Sequence, residues 1–337
     1  MAIIYKAAEC SLVWPTAVAR AKTALIPKKN GQWRGIGIFA ATVRLYTRAR
    51  VPTCQDWERA NQRPFFAQGA GRTPLDPIWR AAVRAEAAKG RSGEQHAAAV
   101  AVDVAAFFES VDWALLERRA LASGFSPVLL RMALCLYGLP RHVEADGVAT
   151  KAVWPTRGIA PGCPWAMSLA KVYVMEPLDV LASDHPTVEL QVFVDDITVD
   201  HNGTKREMVP ELAKAAVDLI DMVPAALCSD IAAEKVVIVA SSDAVAASLR
   251  RILELPTLVV QRSAVLLGGD YAAGRKRRQW RRTAGRVGGR APSAPQLAAS
   301  PRRWRPLVSC PQPHTRRRCT ASATASCFSY SAQRLMR

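Results

Sequence analysis

The amino-acid sequence predicts an α+β fold that is followed by a disordered basic tail. The length of 337 residues suggests about two domains, and half of the residues are hydrophobic, which allows a substantial core. Between residues 93 and 270, apolar strands alternate with helical patterns, without the regular order of a βαβ series. From residue 271 onward the chain is rich in Arg, Ala, Ser and Pro and has no sustained apolar period.

The periodicity of the apolar residues predicts the individual elements. A helical pattern covers residues 74–89, and a run of small apolar residues predicts a strand at 97–104. A tight turn is predicted at 29–31, between two short extended segments. Further helices are predicted at 113–122, 127–136, 166–181 and 211–223, with a last strand at 235–240.

The net charge of +18 belongs to the tail. Residues 271–337 contain 16 of the 46 basic residues and none of the 28 acidic ones, so residues 1–270 carry a net charge of only +2. We therefore expect the body to bind a polyanion through local basic patches. The tail segment Arg-Lys-Arg-Arg-Gln-Trp-Arg-Arg at 275–282 has the character of a nonspecific nucleic-acid binder or a nuclear localisation signal.

Composition argues against several classes of protein. No stretch approaches the roughly 18 uninterrupted apolar residues of a transmembrane helix, so we expect no membrane partner. Residues 1–20 lack the continuous apolar region of a secretory signal. The eight cysteines are scattered with no Cys-x-x-Cys pair, as expected of reduced thiols in an intracellular protein.

An adjacent pair of aspartates, Asp195 and Asp196, interrupts an alternating apolar run at residues 188–200. Asp disfavours strands and favours turns, so the run predicts a β-hairpin with the two aspartates at its tip. Such a turn holds two carboxylates at the edge of a sheet, and hard cations such as Mg²⁺ take carboxylate oxygens. The pair predicts a divalent-metal site for phosphoryl transfer, with an ordinary polar turn as the alternative.

Two other segments have the composition of a functional site. Asp103 ends the strand predicted at 97–104, where its carboxylate must be paired, bound to a metal or used to cap the following turn. In the segment at 157–168, two glycines and two prolines precede a predicted helix. A loop of this composition lets the backbone approach a ligand closely, although it also suits a plain loop at a helix start.

Short segments with recognisable residues follow one another along residues 20–270. They are Leu-Ile-Pro-Lys-Lys at 25–29, Trp-Arg-Gly-Ile at 33–36, Asn-Gln-Arg-Pro-Phe-Phe at 61–66 with Gly-Arg-Thr at 71–73, residues 103–112, residues 157–164, Phe-Val-Asp-Asp at 193–196, Ala-Glu-Lys at 233–235 with 236–239, and Leu-Gly-Gly at 267–269. Their order resembles the fingers motifs and palm motifs A to E of reverse transcriptases of the non-LTR retrotransposon and group II intron type. Two positions depart from that pattern: Pro161 stands where the family usually has Gln, and Gly35 where it usually has Pro.

This resemblance implies a right-hand polymerase fold. Fingers are expected at 1–92, and a palm with an antiparallel sheet at 93–270, together with the remaining fingers elements. The Arg-rich disordered tail at 271–337 stands where the family has its thumb, which is absent or degenerate. The implied function is that of a retrotransposon reverse transcriptase, an RNA-directed DNA polymerase and nucleotidyltransferase. Its partners would be an RNA template, a DNA primer and deoxynucleoside triphosphates (dNTPs).

The resemblance assigns the catalytic role to Asp103, Asp195 and Asp196, which would bind two Mg²⁺ ions, with Mn²⁺ as an alternative. Asp103 and Asp195 would share the ions, Asp196 would support them, and the Val104 carbonyl is a further candidate ligand. Because three crowded carboxylates repel one another, we expect the site to form poorly without metal. Lys235 would donate a proton to the departing pyrophosphate, unless it is a solvent-facing residue at a strand start.

The resemblance also implies a set of substrate-binding residues: Lys28, Lys29, Arg34, Phe108 and Gly162. The cationic side chains would clamp the triphosphate, for which Arg suits bidentate contacts, and solvated surface charge is the alternative. Phe108 follows Asp103 by five residues, where the family has an aromatic side chain that stacks under the sugar and excludes a 2′-hydroxyl. An ordinary core Phe is the alternative, and Phe107 could exchange roles with it.

Two other functions stay open from the sequence. An RNA-dependent RNA polymerase would share the fold, although that class usually carries Gly at the position of Val194, and a bulky Phe108 favours deoxynucleotides. A catalytically degenerate nucleic-acid-binding relic would depend on the basic tail instead. The localisation-like run in that tail adds the nucleus to the expected intracellular locations.

Overall fold

The computed structural model describes most of residues 2–273. The described range excludes residues 19–20, 28–30, 32, 70–71, 73–75, 91–93, 146–147, 255–257 and 267–268. The predictions for the tail at 271–337 therefore lie almost wholly outside the described residues, as does most of the predicted turn at 29–31.

Helices and strands alternate irregularly along the chain. The helices are α1 Ala2–Ser11, α2 Ala41–Ala49, α3 Val51–Ala60, α4 Asp76–Gly90, α5 Phe107–Ser110, α6 Trp113–Ala122, α7 Pro127–Tyr137, α8 Ala166–Asp184, α9 Lys205–Leu227 and α10 Asp243–Leu253. The strands are β1 Ala21–Pro27, β2 Trp33–Phe39, β3 Gln95–Asp103, β4 Arg141–Ala145, β5 Val148–Ala149, β6 Glu189–Phe193, β7 Asp196–Thr204, β8 Val237–Ala240, β9 Val259–Gln261, β10 Ser263–Leu266 and β11 Gly269–Ala272. Short 3₁₀ turns lie at Thr16–Val18 and Ala233–Lys235.

The central sheet has the strand order β6-β7-β3-β8-β9. Its neighbouring strands are antiparallel, except for the parallel pair β8 and β9. A second sheet has the order β2-β1-β4-β5, in which β1 and β4 are parallel, and β10 pairs with β11. The mixed α+β content and the mainly antiparallel central sheet confirm the predicted fold class.

The alternation of side chains along β3 explains why this strand lies inside the sheet. Val100 and Val102 point to one face, where they are buried in the main core together with residues of α8 and α9. Ala97 and Ala99 point to the opposite face, where they contact alanines of α4. Small side chains on this face let a helix pack closely on half of the strand.

Each predicted helix and strand is present, with differences at its ends. The prediction that the strand at 235–240 is the last one was wrong, because α10, β9, β10 and β11 follow it. The helix predicted at 113–122 has those bounds, whereas the one predicted at 211–223 extends over Lys205–Leu227. It begins earlier because the Thr204 side chain accepts the Glu207 backbone N–H and caps the helix. The strand predicted at 235–240 begins only at Val237, since residues 233–235 form a 3₁₀ turn.

None of the described helices is both long and apolar enough to cross a membrane.

Arg119 connects three helices beneath the central sheet. Its side chain is buried and its guanidinium donates to the Tyr173 carbonyl at 2.6 Å, the Ala226 carbonyl at 3.0 Å and Glu176 Oε2 at 2.8 Å. It therefore satisfies two backbone acceptors of α8 and α9 from its position on α6. Such a buried cation stabilises the fold only while every one of these partners is present.

Replacing Arg119 by Ala should lower the free energy of unfolding by about 2–4 kcal/mol, because two carbonyls lose their donor in a buried position. Urea unfolding followed by circular dichroism measures the change. The matched control is Arg118→Ala on the exposed side of the same helix, which should change stability by less than about 0.5 kcal/mol. Equal effects of the two substitutions would contradict this account of Arg119.

Candidate active site

Asp103 and Asp196 lie directly opposite each other at the end of the β3–β7 pair. Directly opposed residues of antiparallel strands point to the same face, so both carboxylates face the side of the sheet away from the main core. Asp195 precedes Asp196, and its carbonyl accepts the Val104 backbone N–H at 3.2 Å. The backbone thus joins the two acidic segments, which are about 90 residues apart in sequence.

The hairpin between β6 and β7 is present, but its tip differs from the prediction. Phe193 pairs with Asp196, so the two turn residues are Val194 and Asp195, and Asp196 is the first residue of β7. The prediction that both aspartates form the tip was wrong by one residue. Strand register decides this point, because the pairing of β7 with β3 continues through Asp196.

Val194 has a left-handed backbone conformation with a φ of 62°. This conformation is rare for a β-branched residue, and it occurs where the surrounding structure imposes it. Here the strand pairing on both sides of the turn imposes it. The strain is thus located directly before the Asp pair.

The carboxylates of Asp195 and Asp196 both have pKa values above that of an exposed aspartate. Burial raises the pKa of Asp196 to about 6, and the negative charges of Asp195 and Asp103 add to this effect. Burial also raises the pKa of Asp195, with a contribution from Asp103, while the positive charges of Lys235 and Arg34 act in the opposite direction. The site therefore holds an excess of negative charge that a cation would neutralise.

Lys235 provides part of that neutralisation. It ends the 3₁₀ turn Ala233–Lys235, and its ammonium donates to Asp103 Oδ2. This bond with Asp103 raises the pKa of Lys235. The side chain remains 55% exposed, so it can leave Asp103 without disturbing the core. The structure brings the predicted proton donor into direct contact with a predicted metal ligand.

Within the described ranges, no group of three or more His, Cys, Asp or Glu side chains is arranged as a ready cage for a metal ion. The chemistry of the site is nevertheless compatible with Mg²⁺, since its groups are carboxylate and carbonyl oxygens. The raised pKa values of Asp195 and Asp196 also indicate charge that a divalent cation would compensate. The residues fit such an ion once Lys235 releases Asp103.

Val104, the residue after Asp103, forms an isolated antiparallel β-bridge with Ile231. The two hydrogen bonds of this bridge run from the Ala105 N–H to the Asp230 carbonyl and from the Ala232 N–H to the Asp103 carbonyl. Neither bond uses the Val104 carbonyl, which leaves that oxygen outside the ladder. Its proposed role as a ligand agrees with this geometry.

The two neighbouring phenylalanines after Asp103 have different surroundings. Phe107 is 2% exposed and contacts the ring of Tyr173 in the main core, with the ring centroids 6.3 Å apart. Phe108 is only partly buried and packs at the edge of that core. Phe107 therefore has the surroundings of a core residue, and Phe108 has a surface that a ligand can reach.

The loop at 157–164 lies against β2. The Gly37 N–H donates to the Pro161 carbonyl at 2.7 Å. Gly162 has a φ of +98°, and a Cβ atom at that position would lie 2.9 Å from the Gly37 carbonyl oxygen. This contact between two backbones excludes a side chain at Gly162, and it joins β2 to the start of α8.

The cationic residues predicted to bind substrate are only partly described. Arg34 is exposed on β2, opposite Ile26, and its positive charge acts on Asp195. Lys28 and Lys29 lie outside the described residues. The sequence interpretation missed the role of Gly37, although a Gly-Ile-Gly-Ile alternation in a strand is a signal of close backbone approach.

Residues 26–268, which are more than half of the chain, match the family model described as reverse transcriptase (RNA-dependent DNA polymerase). The chain belongs to the reverse transcriptase family. A search of curated protein sequences finds no match.

Solved telomerase structures share the fold of this reverse transcriptase chain. Apo telomerase from Candida tropicalis truncated from its C-terminal domain has a TM-score of 0.51 and 12% identity over 77% of this chain and 55% of that one. Apo telomerase from the same organism has a TM-score of 0.52 and 12% identity, over 77% of this chain and 48% of that one. Telomerase from Candida albicans in complex with a telomeric RNA fragment has a TM-score of 0.52 and 10% identity, over 77% of this chain and 47% of that one. The chain spans about half the length of these telomerases.

Replacing Asp196 by Asn should stabilise the metal-free protein by about 1–3 kcal/mol at neutral pH, since one pKa unit corresponds to about 1.4 kcal/mol. The folded-state pKa is raised, so ionisation of Asp196 costs stability as the pH rises from about 4 to about 6. The gain should therefore be larger at about pH 7.5 than at about pH 5. Urea unfolding in EDTA measures both values.

The control for this prediction is Asp221→Asn, which removes an exposed carboxylate on α9. It should leave both unfolding midpoints unchanged. A loss of stability in Asp196→Asn at neutral pH would contradict the proposed crowding of charge.

Proposed function

We propose that the chain is a reverse transcriptase domain that adds deoxynucleotides to a primer 3′-hydroxyl by two-metal-ion nucleotidyl transfer. The observation that supports this most directly is the convergence of Asp103, Asp195 and Asp196 from two separate segments. Because the chain belongs to the reverse transcriptase family, we assign these carboxylates to metal binding for nucleotidyl transfer. The alternative of an ordinary polar turn does not account for the opposed Asp103.

In this proposal Asp103 and Asp195 would hold two Mg²⁺ ions, or Mn²⁺, with Asp196 and the Val104 carbonyl as supporting ligands. The bound ions would lower the pKa of the primer hydroxyl and neutralise charge on the triphosphate. Lys235, whose exposed ammonium group pairs with Asp103, would be the proton donor to the pyrophosphate.

In this proposal the substrate lies beside the carboxylates, bordered by β2 and by the loop at 157–164 that contacts this strand. Arg34 would contact the triphosphate, and Lys28 and Lys29, which lie outside the described residues, are the further candidates from the sequence. Phe108 faces the sugar and excludes a 2′-hydroxyl, which agrees with its partial exposure beside the fully buried Phe107. Gly162 would contribute to substrate binding through its backbone, by keeping the loop close against Gly37 of β2.

The proposed organisation has fingers at 1–92 and a palm at 93–270. The pairing of β4 with β1, and of β5 with β4, supports the proposal that some fingers elements come from the second range. An RNA template, a DNA primer and dNTPs are the proposed partners. An intracellular or nuclear location and a retrotransposon origin remain proposals that rest on the sequence.

Replacing Asp195 by Asn should lower Mg²⁺-dependent primer extension with dNTPs by at least about 1,000-fold, because metal-held charge contributes several kcal/mol to such reactions. Primer extension on RNA and on DNA templates measures the rate. The thermal unfolding temperature should not fall, since the substitution removes a charge that burial disfavours. Asp221→Asn is the matched control and should retain full activity.

The same assay separates the alternatives. Preferential use of ribonucleotides would indicate an RNA-dependent RNA polymerase, whose site would differ in its contact with the sugar. A wild-type protein that extends no primer but still binds nucleic acid would indicate a degenerate relic. Either result would reject the proposed function.

A further inference from the structure

The backbone of the loop before α8 contacts the backbone of the turn that carries Phe108. The Ile159 N–H donates to the Phe108 carbonyl at 2.6 Å, and the Gly158 N–H donates to the Val111 carbonyl at 2.8 Å. In return, Trp113 Nε1 donates to the Gly158 carbonyl at 2.8 Å. Three hydrogen bonds thus connect the loop to the turn at residues 107–111 and to the first residue of α6.

Gly158 is the residue of closest approach in this contact. A Cβ atom on Gly158 would lie 3.0 Å from the carbonyl oxygens of Phe108 and Glu109. Its φ of +94° is also a conformation that L-residues rarely adopt. Since the opposing atoms belong to the backbone, they cannot make room by a rotamer change. Any side chain at this position must shift the Phe108 turn.

The Phe108 turn has little means of holding its own position. Helix α5 has only four residues, and no side chain caps its start at Ala106, which is itself left-handed with a φ of 45°. So short a helix is only marginally stable by itself. Its position depends on the burial of Phe107 and a hydrogen bond between the Ser110 and Ser229 hydroxyls at 2.6 Å on one side, and on the Gly158 loop on the other.

We propose that Gly158 is a positioning residue that sets the location of the Phe108 ring and thereby the discrimination between deoxy- and ribonucleotides. This inference rests on the proposed function, in which Phe108 faces the sugar. Rejection of a single hydroxyl by one ring requires that the ring be held within a fraction of an ångström. The Gly158 contact provides that restraint through Phe108 without touching the nucleotide.

The first test is Gly158→Ala in the full chain. The ratio of kcat/KM for dCTP to that for CTP should fall by about tenfold, because the added methyl group displaces the Phe108 carbonyl. The matched control is Gly124→Ala, where φ is +70° and an added Cβ would have no neighbour within 4 Å. This control carries the same backbone strain without the contact, so its ratio should stay at the wild-type value.

Trp113→Phe is a milder second variant, for the case in which Gly158→Ala fails to fold. It removes the donor to the Gly158 carbonyl and should lower the ratio by about threefold. In a Phe108→Ala background, both substitutions should leave the ratio unchanged, because the ring through which they act is missing. A further change of this ratio in the Phe108→Ala background would overturn the inference. A wild-type ratio in folded Gly158→Ala would overturn it as well, as would a wild-type ratio in Trp113→Phe if Gly158→Ala does not fold.

Failure of the inference and failure of the proposed function give different results. A wild-type chain that incorporates neither nucleotide rejects the proposed function. A wild-type chain that favours dCTP, together with variants that retain its ratio, rejects only the role of Gly158.

Discussion

The pairing of β3 with β7 is the constraint on which the candidate site depends. This pairing places Asp103 opposite Asp196, and it is held by the burial of Val100, Val102 and their neighbours under α8 and α9. A slip of one residue would turn the apolar side chains of one strand out of the core. The energy of core packing therefore fixes the register, and the register fixes which carboxylates meet. The chemistry of the site follows from hydrophobic burial a few residues away.

The same arrangement concentrates negative charge where it is unfavourable. Asp195 and Asp196 are partly buried beside Asp103, and Val194 adds a rare backbone conformation to the turn. Lys235 offsets part of this cost through its ion pair with Asp103. Sites that bind metals often hold charges that would be unstable in the folded chain alone, and they depend on the ion for full stability. The fold tolerates this cost because the rest of the core is well packed.

The sequence predicted the elements better than it predicted their connections. Helix α6 has the predicted bounds because Asp112 at its start and the apolar period within it are local signals. The tip of the Asp hairpin was misplaced by one residue, since turn propensity favours both aspartates while strand register includes Asp196 in β7. The parallel pairing of β1 with β4 joins segments about 120 residues apart, and no local pattern indicates it. Burial and pairing with distant strands decided these points.

For the site, the sequence by itself determined which residue types were present and in what order: paired carboxylates, a Gly-Cys-Pro loop and a basic hairpin. These are local properties, and together with the resemblance they predicted the reverse transcriptase family that the chain belongs to. Only the tertiary structure decided that Lys235 pairs with Asp103, that Gly37 contacts the loop of Gly162, and that Gly158 meets Phe108. Such contacts form between segments far apart in the chain, so their geometry depends on how the whole core packs.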